Sequence, residues 1–105
     1  MIVYNVTVNI DADVHDEWLA WMVDEHIPKV LATGLFIDSR MSKMLLEEEG
    51  GGITYSIQYT LESMDKMQEY EEKFATDLRN ETLVKYDGKF GAFRTMMEVV
   101  AIHQA

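Results

Sequence analysis

His26 is the residue in this chain best suited to move a proton near neutral pH. It directly follows Glu25, two positions before Pro28, the only proline. At roughly 100° per residue, Glu25 falls within the apolar stripe of Val14, Trp18 and Trp21. His26 lies at the edge of that stripe, one turn beyond Met22. A carboxylate facing a core is costly unless paired or protonated, so burial would raise its pKa into a useful range. Glu71 interrupts a second stripe in the same way, between Met67, Phe74 and Leu78. Glu25, His26 and Glu71 are therefore the candidate catalytic groups. Trp18, Trp21, Met22, Tyr55, Tyr59 and Arg94 are the candidate pocket, with a tyrosine or Arg94 as the oxyanion partner. Each also has a plain structural reading. The break before Pro28 can turn Glu25 into water and leave His26 capping a carbonyl. Glu71 can reach out or meet a buried arginine or tyrosine, and the tyrosine hydroxyls of Tyr4, Tyr55 and Tyr59 can form a network that only completes the core.

Other chemistries find less support. His15, His26 and His103 are the only histidines, and none is spaced on a helix for metal ligation, so no metal site is expected. Haem would need an axial ligand from His26 or His103, and nothing else calls for it, so no cofactor is expected. With no cysteine there is no thiolate nucleophile and no disulfide. The formal charge of −10 argues against nucleic acid and anionic membranes as partners. The start, Met1-Ile-Val-Tyr-Asn, lacks a basic segment and a long apolar run, and we expect a cytoplasmic protein.

The elements that must position these groups follow from periodicity. Residues 2–10 and 53–61 alternate apolar and polar, as half-buried strands do. Residues 35–46 contain a β-capable run with weaker alternation, residues 47–52 form a glycine-rich hairpin connection, and residues 90–102 the last strand. Asp13, or Asp11 in its place, is the expected N-cap of the first helix, which Pro28 should end or kink by Ile27, with Gly34 as the stop. Ser63 should cap the second helix, whose stripe is Met64, Met67, Phe74, Ala75 and Leu78. The order β-α-β-β-α-β predicts one α+β domain over residues 1–105. Its antiparallel sheet would run 4-1-3-2, with both helices on one face, a ferredoxin-like fold.

The segments Trp18-x-x-Trp21-Met22, Glu25-His26-Ile27-Pro28, Thr33-Gly34-Leu35-Phe36, Thr54-Tyr55-Ser56-Ile57-Gln58-Tyr59 and Phe93-Arg94-Thr95 resemble a small bacterial family of unknown function among the dimeric α+β barrels. The resemblance covers nearly the whole chain. It implies a homodimer joined through the sheets. The wider superfamily includes cofactor-independent monooxygenases, muconolactone isomerase-like enzymes, haem-degrading enzymes and stress-response proteins. A histidine shortly before a proline at the end of the first helix is similar to one in several branches, which favours His26. Two functional readings follow. One is a ligand-binding or interaction module that takes a small apolar molecule. The alternative is a cofactor-independent monooxygenase or isomerase acting on a small apolar or aromatic carbonyl compound.

Overall fold

The computed structural model describes residues 1–45 and 50–105. Strand β1 (Ile2–Ile10) leads through a 3-10 turn (Ala12–Val14) into α1 (His15–Trp21). A π turn (Met22–His26) joins α1 to α2 (Ile27–Leu31), and strands β2 (Asp38–Lys43) and β3 (Ile53–Leu61) follow. A second helical run comprises α3 (Met64–Tyr70), a π turn (Glu71–Ala75) and α4 (Thr76–Lys85), before β4 (Phe90–Glu98). The described strands form one antiparallel sheet in the order β2-β3-β1-β4, the same order as 4-1-3-2 read from the other edge. This is the ferredoxin-like α+β arrangement that the periodicity predicts. Among the described residues, no helix is long and apolar enough to cross a membrane.

One sheet face carries Ile2, Tyr4, Val8 and Ile10 from β1 and Tyr55, Ile57, Tyr59 and Leu61 from β3, all buried. Register places Tyr4 opposite both Tyr59 and Met96, and Val6 opposite Arg94. Trp18, Met22 and Val30 cover this face from the first helical run, and Met67, Tyr70, Ala75 and Leu78 from the second. Burying large apolar side chains supplies the driving force, at about 1.5–3 kcal/mol for each. The opposite face is polar at its centre. Asn5 donates to Thr7 at 3.0 Å, Ser56 donates to Asn5 at 2.6 Å, and Asn9 donates to Thr54 at 3.0 Å.

Several local expectations need correction. Asp11 takes the N-cap position of the 3-10 turn that opens the first helical run, without a side-chain capping bond. Asp13 lies inside that turn and pairs with Lys89 at 2.8 Å. Ser63 occupies the N-cap position of α3 in extended conformation, but its hydroxyl makes no capping bond. Met64 is half-exposed, and Tyr70 is the residue buried at the far end of α3. Pro28 does not end the helix, because backbone angles stay helical from Trp21 into Ile27. The missing N–H falls just after the π turn, where the regular ladder is already interrupted. Gly34, with φ +79°, follows α2 in the left-handed conformation expected of a stop. Strand β2 lies within the 35–46 run. Leu46, at the end of that run, and Glu47–Glu49, in the expected hairpin connection, lie outside the described residues. Strand β4 stops at Glu98, opposite Ile2, because β1 offers no further partner. One more bond, Val99 N–H to the Met1 carbonyl at 2.9 Å, closes that end.

Gly52 closes the other end of β3, with φ +78°. A Cβ there would sit 2.5 Å from Asn9 Oδ1 and 3.0 Å from the Ile10 carbonyl oxygen. We expect Gly52→Ala to lower unfolding free energy by about 1–3 kcal/mol. Gly50→Ala, with no heavy atom within 4 Å of its Cβ, should stay within about 0.5 kcal/mol of wild type in the same denaturant titration.

Candidate functional site

A cavity of about 420 Å³ lies between the helices and the sheet. Trp18, Met22, His26 and Val30 wall it from the first helical run, and Leu78, Arg79, Thr82 and Leu83 from the second. Tyr4, Ile57 and Tyr59 form part of its floor, and Phe90, Ala92 and Arg94 project from edge strand β4.

The π turns decide which side chains reach this space. A π turn bonds residue i to i+5 instead of i+4, and so takes in about one extra residue. Across the first, Glu25 behaves as if six residues after Trp18, and His26 as if seven. Seven residues are close to two helical turns, so His26 returns to the face of Trp18. Glu25 is correspondingly exposed, which corrects its expected place on the apolar stripe. His26 is partly buried, lines the cavity and stacks on Trp21 at 4.8 Å between ring centroids. Trp21 also meets Tyr86 edge-on at 5.6 Å. It supports His26 from behind but does not line the cavity.

His26 Nδ1 is buried without a hydrogen-bond partner among the described residues. Burial pushes the imidazole pKa below its ordinary value. Lys29 pushes the same way and Glu81 opposes both. His26 is therefore neutral at pH 7 and can accept a proton.

The second π turn works similarly. Glu71 and Arg79 are eight apart in sequence but act as about seven, which stacks them on one side of the helix. Arg79 Nη1 and Nη2 donate to the two Glu71 oxygens at 3.0 and 2.5 Å, and Nη2 also donates to the Tyr4 hydroxyl at 3.0 Å. Burial works against the Arg79 charge, but the bonds to Glu71 and Tyr4 outweigh it and hold its pKa above the ordinary value. Glu71 is thus not enclosed among apolar side chains. Its side chain is 43% exposed, and its place is corrected to an ion-pair partner outside the cavity lining.

From β4, Arg94 Nε donates to the same Tyr4 oxygen at 3.0 Å. Tyr59 and Tyr70 are buried nearby. Burial first, and the neighbouring phenols second, raise both pKa values, that of Tyr70 to about 12. Both remain protonated at neutral pH.

Of the expected pocket, Trp18, Met22, Tyr59 and Arg94 line the cavity and Trp21 and Tyr55 do not. The Tyr55 hydroxyl instead meets His15 Nε2 at 2.7 Å, while His15 Nδ1 contacts Asp16 at 2.9 Å. The sequence gives His15 no distinguishing mark, because it opens α1 and pairs with a residue forty positions away. Arg79 is equally hidden, because its spacing from Glu71 matches no straight-helix pattern. Recognising that one inserted residue shifts both helices would have found it.

The chain belongs to the family described as Domain of unknown function (DUF4286), whose model matches residues 1–100. No curated protein sequence matches it. Among solved structures it is similar to the Arabidopsis thaliana protein At3g17210, at TM-score 0.72 and 13% identity over 99% of this chain and 100% of that one. An antibiotic biosynthesis monooxygenase superposes at TM-score 0.68 with 11% identity, over 96% of this chain and 100% of that one. A dimeric ferredoxin-like protein from an uncultured marine organism does so at 0.66 with 13% identity, over 99% and 98%. At these identities the likeness establishes the fold.

The lowered His26 pKa has a signed consequence. The unfolded chain binds a proton at His26 near pH 6.5 and the folded chain only below that, so this contribution is complete above about pH 6.5 and is lost as pH falls toward the folded pKa. Unfolding titrations of wild type and His26→Gln should therefore converge, or cross in favour of the variant, as pH drops from 7 to 5. A constant difference across that range would show that His26 is not desolvated.

Proposed function

We propose that this protein is a small homodimeric ligand-binding module, whose helix–sheet cavity holds a small, largely apolar molecule. The observation that carries the reading is the cavity itself. Its volume of about 420 Å³ lies within the roughly 300–1,000 Å³ usual for small-molecule sites. Its walls are mostly aliphatic and aromatic, with a few polar groups converging at Tyr4.

The dimer is supported by the open sheet face. There Phe93 is 64% exposed and Met97 is 40% exposed, beside the polar centre of Asn5, Thr7 and Ser56. That mixture suits a wet sheet-to-sheet contact, and the marine relative of this fold is dimeric. The acidic, cysteine-free composition fits a cytoplasmic setting, and the resemblance to a bacterial family fits a bacterial source.

One observation favours a second reading. A neutral imidazole lines the cavity together with Arg94, so His26 can act as base toward a carbon acid next to a carbonyl, with Arg94 or Tyr59 holding the oxygen. The substrate would be a small apolar or aromatic carbonyl compound, isomerised or, with dioxygen, oxygenated. We rank this reading second, because His26 has no polar partner to orient it among its described contacts. Glu25 would stand outside the chemistry, and Glu71 would act only by holding Arg79.

Ala92→Phe should fill the cavity from β4. We expect wild type to bind 2-naphthamide by calorimetry, and the variant to lose at least about tenfold in affinity while keeping its circular dichroism. Equal binding by both proteins would place the site elsewhere. Light scattering should give twice the chain mass at micromolar concentration. A monomer there would remove the dimer. If His26→Gln keeps ligand affinity and no turnover of any bound carbonyl compound is found in wild type, the module reading stands over the enzyme.

A further inference from the structure

We infer that the cavity is built for an amphiphilic anion, one carboxylate or comparable oxyanion on a flat apolar body, with the anionic group seated between Arg94 and Tyr4. This rests on the ligand-binding reading above and names the chemistry of the ligand.

Donors outnumber acceptors around Tyr4. Two guanidiniums, from Arg79 and Arg94, converge on one phenol oxygen. Glu71 neutralises Arg79 through a two-pronged contact. Among the described residues, Arg94 forms no ion pair, and only its Nε is engaged, with Tyr4. Both of its terminal nitrogens keep their N–H groups for a ligand, the end of the fork that takes a carboxylate through two parallel bonds. Arg79 Nε is buried without a partner among the described residues, one more unused donor on a residue that lines the cavity. The Tyr4 oxygen already accepts twice, so its own proton is left to donate. The cluster therefore offers several free donors and one uncompensated positive charge, while its one carboxylate, Glu71, is committed to Arg79.

The rest of the cavity fixes the shape of the guest. Along β4, Phe90, Ala92 and Arg94 all face the space, and Asp87 and Gly88 mark its far end. At roughly 3.4 Å per residue, the distance from Phe90 to Arg94 is about 14 Å. Between these ends the walls are Trp18, Met22, Val30 and Leu78, which suit an aromatic or aliphatic body and offer nothing to a second charge. Asp87 at the far end disfavours a dianion lying lengthwise and aligns the single negative group toward Arg94. In a chain of net charge −10, such a local positive end has no long-range field to assist it. Selection would rest on short, directed bonds.

The test uses isosteric pairs, benzoate with benzamide and 2-naphthoate with 2-naphthamide, measured by calorimetry at pH 7 on the full chain. In wild type we expect each carboxylate to bind roughly tenfold or more tightly than its amide, the usual margin for a charge-assisted pair over a neutral one. Arg94→Gln should remove that margin, weakening each carboxylate roughly tenfold more than its amide. Arg94→Lys should restore part of it, because the charge returns without the fork. Equal affinity of carboxylate and amide in wild type would overturn the anion assignment and leave the cavity reading intact. So would an Arg94→Gln variant that weakens carboxylate and amide equally. Binding of none of the four probes would overturn both.

Discussion

One extra residue in the middle of each helical run governs what this fold presents to its interior. A straight helix through residues 15–31 would aim Glu25 at the sheet and turn His26 aside. The π turn at Met22–His26 reverses that outcome, and Trp21 braces the imidazole from behind. The π turn at Glu71–Ala75 stacks Arg79 over Glu71, so that a charge can reach the inner layer already paired. A buried guanidinium without its carboxylate would be costly, as broken buried pairs generally are. The first turn brings Met22 and His26 to the cavity, and the second lies between Tyr70 and Leu78, which line it, in keeping with the tendency of π turns to mark functional positions.

Tyr4 turns that helical register into a site. It sits on the central strand, opposite Tyr59 on one side and Met96 on the other, and is almost fully buried. Its ring packs against Tyr59 and Tyr70, and its oxygen ties α4 to β4 through Arg79 and Arg94. The plain structural reading, a polar network of Tyr4, Tyr55 and Tyr59 that completes the core, fits the bonds made by the Tyr4 and Tyr55 hydroxyls. It does not account for Arg94, whose terminal nitrogens keep donors beyond those the phenol needs. A network that ends in unused donors beside a cavity of this size is better explained by a guest than by packing.

Much of the fold was legible because alternation in residues 2–10 and 53–61 leaves little freedom over which face is buried. The strand order followed from connection lengths and handedness. The candidate site was legible only in part. His26, Trp18, Met22, Tyr59 and Arg94 line the cavity, and residue type and position on an apolar face suffice to single them out. Glu25 was misplaced because a fixed 100° step cannot register an inserted residue. Arg79 and His15 escaped because their partners, Tyr4 and Tyr55, lie seventy-five and forty residues away, and no local pattern records such pairs. The capping roles given to Asp13 and Ser63 failed for a related reason. Lys89, brought in by the turn before β4, competes for Asp13, and Ser63 holds the cap position without a capping bond.

The methionines offer the most direct check on where a guest resides. Of the eight, Met22 is the one that lines the large cavity, while Met64, Met67 and Met96 line a separate shallow groove and Met97 faces the open side of the sheet. With the methionine methyl groups carbon-13 labelled, titration with 2-naphthoate should move the Met22 signal first and furthest. If Met22 stays still while Met97 or the groove methionines shift, the helix–sheet cavity is not the binding site.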